Sequence, residues 1–285
     1  MKSIESIQII QEEYIMTDDK KILVLDIDGT LVNSNKVITP ETKKYLNLIQ
    51  EQGHIVALAS GRPYPGMKAY AREIGLDRFG GYAISFNGAM VIECATGNTI
   101  FTKSVSKSLV GKIYSYAIEN HIGMVTYRND VVITGTEIDD YMEYEARLNN
   151  MALRRVDDFV KEVDFDVAKC LLTAEPDRAA QCEKELYEML SPDLNVFRSE
   201  PYFIEITAKG VDKAETIDSL LKIIGIPHSN SICCGDGFND LTMVKYGAVG
   251  VAMDNAQQIV KDSADYITAS CDDDGIVEVI KKFIL

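Results

Sequence analysis

Ile22-Leu23-Val24-Leu25-Asp26-Ile27-Asp28-Gly29-Thr30 is the stretch on which the reading of this chain turns. Four consecutive apolar residues suit a strand covered on both faces, and such strands belong to parallel sheets flanked by helices. Ligands of those sheets gather beyond the carboxyl ends of the strands, which is where Asp26 and Asp28 fall. Their spacing of two puts both side chains on one side of a continuing strand, and Gly29 permits a sharp turn straight afterwards. Two crowded carboxylates repel, so the arrangement is costly unless a cation joins them or one keeps a proton. Mg²⁺ suits such a pair, because it takes oxygen ligands and commonly combines one or two carboxylates with a phosphate. Alone, the segment reads equally well as an Asp-Gly turn whose acids cap a strand end.

Working outward, Thr39-Pro40-Glu41 supplies a cap, a first helical position and an acidic first turn, and Gly53 closes that helix. His54 to Ala59 is a second apolar strand ending in Ser60-Gly61-Arg62, so strand, helix and strand predict a parallel βαβ unit. Tyr82 to Phe86 is a third strand and runs into Asn87-Gly88. Met90 to Cys94 and Thr99 to Thr102 then flank Ala95-Thr96-Gly97-Asn98, a hairpin rather than a crossover, and a different domain is expected to begin there. An α/β segment of roughly 120 residues with an antiparallel flavour follows, about one ordinary domain. The βα rhythm returns at Asp212-Lys213-Ala214-Glu215, which reads as a capping box, and at Ser231 to Cys234, which ends in Gly235-Asp236-Gly237-Phe238-Asn239-Asp240. The expected fold is a doubly wound, mainly parallel, Rossmann-like α/β core over residues 21–86 and 209–285, an inserted α/β cap domain over 87–208, and an N-terminal extension over 1–20.

The chain has 285 residues, 46% of them hydrophobic, which is enough for a substantial core. Its net charge of −15 comes from 44 acidic and 29 basic residues, with no basic run to neutralise a nucleic-acid backbone, so nucleic acid is not an expected partner. An anionic ligand would then need a local positive centre, a metal ion or a few placed Lys and Arg residues. Six cysteines without a CxxC pair read as reduced core thiols. No secretory signal pattern opens the chain and no apolar stretch approaches the roughly eighteen residues of a membrane span, so the expected address is the cytoplasm, with no membrane partner. His54, His121 and His228 lack ligand-like spacing and read as structural or surface residues.

Four features in this order, Asp26-Ile27-Asp28-Gly29-Thr30, Ser60-Gly61-Arg62, Lys213 and Gly235-Asp236-Gly237-Phe238-Asn239-Asp240, resemble the motifs of haloacid-dehalogenase superfamily phosphatases. The large α/β insertion between the second and third, with Asn87-Gly88-Ala89 at its entrance, resembles the capped Cof-type sugar-phosphatase subgroup. The resemblance implies a Mg²⁺-dependent hydrolase of small phosphomonoesters, sugar phosphates or related metabolites, working through an aspartyl-phosphate. It implies Asp26 as nucleophile and Asp28 as general acid and base, with Mg²⁺ held by the Asp26 carboxylate, the Asp28 backbone carbonyl and Asp236, and Asp240 supporting the metal from behind. Ser60, Gly61, Lys213 and Asn239 would bind the phosphoryl group, while Arg62 and Asn87 would serve substrate or hinge.

Taken singly, Ser60 reads as a helix cap, Lys213 as a solvated first-turn lysine and Asp240 as a favourable helix-start acid; their order is what selects chemistry. Lys209 competes with Lys213 but precedes Gly210 at the expected hinge. Phosphomannomutases of the same superfamily are the alternative, and they would need basic cap residues for a second phosphate, for which Arg128, Arg147, Arg154, Arg155 and Lys169 are available. A receiver-like phospho-accepting module shares the acids and lysine but is much shorter and has no cap.

Overall fold

The computed structural model describes residues 20–285, so the extension expected over 1–20 lies outside the described residues apart from Lys20. The strand β1 (Ile22–Leu25) is buried along its whole length and pairs in parallel with β2 (Ile55–Ala59), which pairs in parallel with β3 (Tyr82–Ser85). Successive β1 residues serve opposite faces, as a period of two requires. Leu23 and Leu25 pack with Leu46 and Ile49 of helix Pro40–Glu51 and with Val279 and Ile280 of helix Gly275–Phe283. Ile22 and Val24 pack on the other side with Ile217, Leu220 and Leu221 of helix Lys213–Ile224. Burying each such side chain contributes roughly 1.5–3 kcal/mol, which is why a strand with no polar residue fits only here.

After β3 the chain turns through Phe86–Gly88 into β4 (Met90–Glu93), antiparallel to β3, and then β5 (Thr99–Thr102), antiparallel to β4. This hairpin differs from the sequence expectation, since it extends the first sheet instead of opening the insertion. The physical reason is edge protection: without β4, the backbone donors and acceptors of β3 would face solvent. Val91 also packs beside Ile84 against the same helix side as Ile217. The change of sheet therefore falls after Thr102.

A second, six-stranded sheet is built from β6 (Gly123–Arg128), β7 (Val131–Thr134), β8 (Ala152–Arg155), β9 (Cys170–Thr173), β10 (Leu194–Glu200) and β11 (Phe203–Ala208), in the order β10-β11-β9-β6-β7-β8. Its pairs are antiparallel except β7 with β8. Helices Lys107–Glu119 and Pro176–Leu190 cover one face through Val110, Ile113, Ala179 and Leu186, packed on Ile204 and Ile206. The other face carries Val125, Tyr127, Leu171 and Phe203, packs on helix Asp140–Leu148, and meets Phe86 and Ala89 from the first sheet's side.

The chain returns to the first sheet as β12 (Ser231–Gly235), β13 (Val249–Ala252) and β14 (Tyr266–Ile267), giving the order β14-β13-β12-β1-β2-β3-β4-β5. β1 thus lies between a strand from the end of the chain and the next strand in sequence. That reversal opens a crevice at the carboxyl ends of β1, β2 and β12. Cys233 and Cys234 are buried in β12, and all six cysteines are free thiols. Among the described residues no helix is long and apolar enough to cross a membrane.

Candidate active site

Asp26 follows β1 directly, and its backbone N–H donates to the Cys234 carbonyl at 3.0 Å, which ties the ends of β1 and β12 together. Lys213 is the first residue of its helix, capped by the Asp212 carboxylate, which accepts from the N–H groups of Ala214 and Glu215. The lysine is not solvated. Its Nζ is buried and donates to Asp26 Oδ1 at 2.7 Å, to the Ala59 carbonyl at 2.8 Å and to Asp240 Oδ1 at 2.5 Å. One ammonium thereby joins the ends of β1 and β2 to the loop after β12. Lys209, the competing lysine, is exposed and outside this cluster.

Asp240 is buried, and its second oxygen accepts from the backbone N–H groups of Asp236 at 3.0 Å and Gly237 at 2.9 Å. It therefore shapes the loop that presents Asp236. The Asp236 Oδ1 accepts from Thr30 Oγ1 at 3.2 Å. Gly29, at φ +85°, is required for a second reason besides the turn, because a Cβ there would lie 2.4 Å from Asp236 Oδ2.

Carboxylate oxygens of Asp26, Asp236 and Asp240 lie within 4.8 Å of one another. Burial, reinforced by the Asp240 charge, pushes the Asp26 carboxyl up to about 8 even against the pull of Lys213. Burial and Asp240 likewise push Asp236 up to about 6. Burial works to lower the proton affinity of Lys213, but the two carboxylates outweigh it and hold the ammonium above its usual range. Three acids against one ammonium leave excess negative charge, and a hard divalent cation is the partner that oxygen donors at this spacing fit.

Asp28 does not share that volume. Its Oδ2 accepts from Arg62 Nε at 2.8 Å, while Oδ1 accepts from Arg62 Nη2 at 3.0 Å and from Lys36 Nζ at 2.7 Å. Burial works to raise this carboxyl, but the hydrogen bonds from Arg62 and Lys36 prevail and hold it below the usual carboxylate range. The raised proton affinity that an acid catalyst needs is absent in this arrangement. Lys36 was not foreseen from sequence. It sits at φ +60° in a loop whose turn is held by Asn33 Oδ1, which accepts from the N–H groups of Asn35 and Val37 at 3.0 Å each.

Ser60 is buried at the end of β2, its Oγ accepting from the Arg62 N–H at 3.3 Å. The turn at Phe86 and Asn87 runs through the left-handed region, with φ of 52° and 54°, a strained arrangement held by Asn87 N–H donating to the Ser60 carbonyl at 2.9 Å. It sets Asn87 Oδ1 where Asn239 Nδ2 donates at 3.2 Å, beside Gly61. The residues expected to hold metal and phosphate, with Arg62 and Asn87, thus line one crevice, and Lys213 is buried against it.

A cavity of about 760 Å³ lies over it, floored by Asp26, Ser60 and Asp236 and roofed by Lys169, Phe203 and Glu205 of the second sheet. No histidine lines it among the described residues. Another cavity, of about 640 Å³, is lined by Tyr64, Cys94, Arg128 and Phe165 and holds none of the clustered acids, so the chemistry belongs to the first.

A parallel sheet gathers acids, a buried lysine and a serine at its strand ends beneath a second sheet, a site whose acids could hold a cation. The family model for haloacid dehalogenase-like hydrolases matches residues 23–280, and the chain belongs to that family. It is similar to a haloacid dehalogenase-like hydrolase from Bacteroides thetaiotaomicron, with 41% identity and a TM-score of 0.87 over 92% of this chain and 99% of that one. The sugar phosphatase BT4131 of HAD subclass IIB is 25% identical with a TM-score of 0.73, over 93% of this chain and all of that one. The 5-amino-6-(5-phospho-D-ribitylamino)uracil phosphatase YcsE of Bacillus subtilis is 25% identical over 94% of this chain and 97% of its own length. The chain is a phosphatase of this family, a phosphoric monoester hydrolase.

Proposed function

We propose that this protein hydrolyses small phosphomonoesters, sugar phosphates or related metabolites, in a Mg²⁺-dependent reaction that passes through an aspartyl-phosphate on Asp26. The observation that carries the reading is the separation of the two acids: Asp26 is buried among Lys213, Asp236 and Asp240, while Asp28 stands apart on Arg62 and Lys36. In this reading the Asp26 carboxylate, the Asp28 backbone carbonyl and Asp236 would hold the metal. When bound, the ion supplies positive charge that lets carboxylate and phosphate approach.

Asp26 attacks phosphorus, forming the bond from its oxygen and breaking the bond to the leaving oxygen, which takes a proton from Asp28. Water then attacks the same phosphorus, gives its proton to Asp28, and frees Asp26 and phosphate. Lys213 and Ser60 meet the phosphoryl oxygens, where electrostatic stabilisation is the larger part of such catalysis, and Gly61 and Asn239 complete the cradle. To act as an acid, Asp28 must part from Arg62 and Lys36, and the substrate's own anion competes for both cations. The second sheet acts as a cap over the leaving group and moves on the connections after Thr102 and near Lys209.

The mutase reading needs basic residues converging on a second phosphate. Arg154 pairs with Glu162, Arg155 with Glu137, and Arg128 lies over the Phe165 ring; of the five candidates Lys169 alone lines the cavity, and it pairs with Glu205. These pairings favour hydrolysis, and the second sheet counts against a receiver module. Six free thiols, five of them buried, support a reducing, cytoplasmic setting. The test is phosphate release from a panel of phosphorylated metabolites with and without Mg²⁺. Turnover should require the ion and fall to background in Asp26→Asn; full activity in that variant would sink the mechanism.

A further inference from the structure

The roof of the cavity holds two charges that the chemistry at the floor does not use. Lys169, just before β9, and Glu205, in β11, form an ion pair at 3.2 Å with side chains 4% and 10% exposed. Their neighbours on that sheet face, Leu171, Val125 and Phe203, are apolar. Lys169 Nζ also lies 5.6 Å from the Phe86 ring centre and 5.4 Å from that of Tyr127. A buried ion pair roughly breaks even against apolar residues of similar volume, so stability does not account for its presence there. What distinguishes this position is that both residues line the cavity that Asp26 floors.

We propose that Lys169 and Glu205 are specificity-determining residues that read a neutral polyhydroxylated leaving group. The proposal rests on the phosphatase reading above. An ammonium offers donors only and a carboxylate acceptors only, whereas a hydroxyl is both. Two neighbouring hydroxyls of a sugar or sugar alcohol can therefore donate to Glu205 and accept from Lys169 without separating the pair. The other charged groups facing the roof set the sign. Glu145, also buried and lining the cavity, accepts from the Tyr127 hydroxyl at 2.7 Å, and Arg198, at the rim, is committed to Glu183 at 2.7 Å. One lysine against two buried carboxylates leaves the roof negative, which admits hydroxyls and repels a second phosphate or a carboxylate at the leaving end.

The experiment compares the intact enzyme with the double variant Lys169→Met/Glu205→Leu, which buries no lone charge. Rates are measured on sorbitol 6-phosphate, glucose 6-phosphate, ribose 5-phosphate and fructose 1,6-bisphosphate, with p-nitrophenyl phosphate as an ester whose leaving group has no polyol. The intact enzyme should show a higher kcat/KM on at least one of the polyol monophosphates than on p-nitrophenyl phosphate and on the bisphosphate. In the double variant the ratio of kcat/KM for that polyol ester to that for p-nitrophenyl phosphate should fall at least tenfold, with the loss concentrated in KM. A purely structural pair would lower both rates together and leave the ratio unchanged, which would overturn the proposal. So would an intact enzyme that hydrolyses p-nitrophenyl phosphate yet prefers no polyol ester, an outcome that leaves the phosphatase reading standing. An intact enzyme that releases phosphate from none of the esters would overturn the phosphatase reading and the proposal with it. If the double variant does not fold, Glu205→Gln is measured in the same way and must show the same fall in ratio.

Discussion

The floor and the roof of the cavity both bury charge, but they hold it differently. On the floor, Lys213 is bonded to two carboxylates and a carbonyl drawn from three separate elements, so removing it would unfasten the ends of β1, β2 and the loop after β12 together. On the roof, Lys169 faces one carboxylate across 3.2 Å, with the rings of Phe86 and Tyr127 beside it. The floor has excess negative charge that a cation could offset, whereas the roof pair is internally balanced. A site that must bring an anion onto a carboxylate needs the first kind of arrangement, and a surface that only reads hydroxyls can use the second.

The largest expected effect is at the floor. Lys213→Met leaves Asp26 and Asp240 buried without their shared partner, and breaking such a cluster typically costs about 3–5 kcal/mol. It should also remove a charge aimed at the phosphoryl oxygens and lower kcat by about 10²-fold or more. The roof variant Lys169→Met/Glu205→Leu should lose far less stability in the same denaturant titration. Equal losses at the two places would erase the contrast between floor and roof.

A smaller effect concerns pH. The folded protein raises Asp26 from an ordinary value of 3.8 to about 8, and Asp236 from 3.8 to about 6. A carboxyl with a raised folded value binds its proton more tightly in the folded than in the unfolded chain, so its contribution is fully present below about pH 4 and is lost as pH rises through the folded values. Asp28, held below its ordinary value, already contributes fully across that window. Metal-free protein should therefore melt at a lower temperature at pH 8 than at pH 5, and added Mg²⁺ should recover most of the difference. A metal-free melting temperature that rises steadily from pH 5 to pH 8 would contradict the electrostatic account of the floor.

Much of the floor was legible in the sequence, because it is made where unmistakable strands stop. Four apolar residues before Asp26, a run ending at Ser60 and another ending before Asp236 place those side chains at one end of a sheet by topology alone. The order of the motifs also selected Lys213, although nothing local distinguishes a buried first-turn lysine from a solvated one. The sequence reads the β4–β5 hairpin as the start of a new domain, since a return strand looks the same whether it starts a new sheet or seals the edge of an old one. Lys36 was missed because its reach to Asp28 depends on a left-handed loop residue. The roof pair is hidden for a different reason: Lys169, just before β9, and Glu205, in β11, lie 36 positions apart and meet because β9 and β11 pair, not through any pattern along the chain.

In the proposed mechanism Asp26, and not its neighbour, takes the phosphoryl group. That step is tested most directly in Asp28→Asn, which should form the covalent intermediate while clearing it slowly. The variant is mixed with Mg²⁺ and the best phosphomonoester, quenched in acid, digested and analysed by mass spectrometry. The account predicts phosphate on the peptide that contains Asp26, localised to that residue and released by hydroxylamine. Product formation with no covalent phosphate, or with phosphate on any other residue, would contradict it.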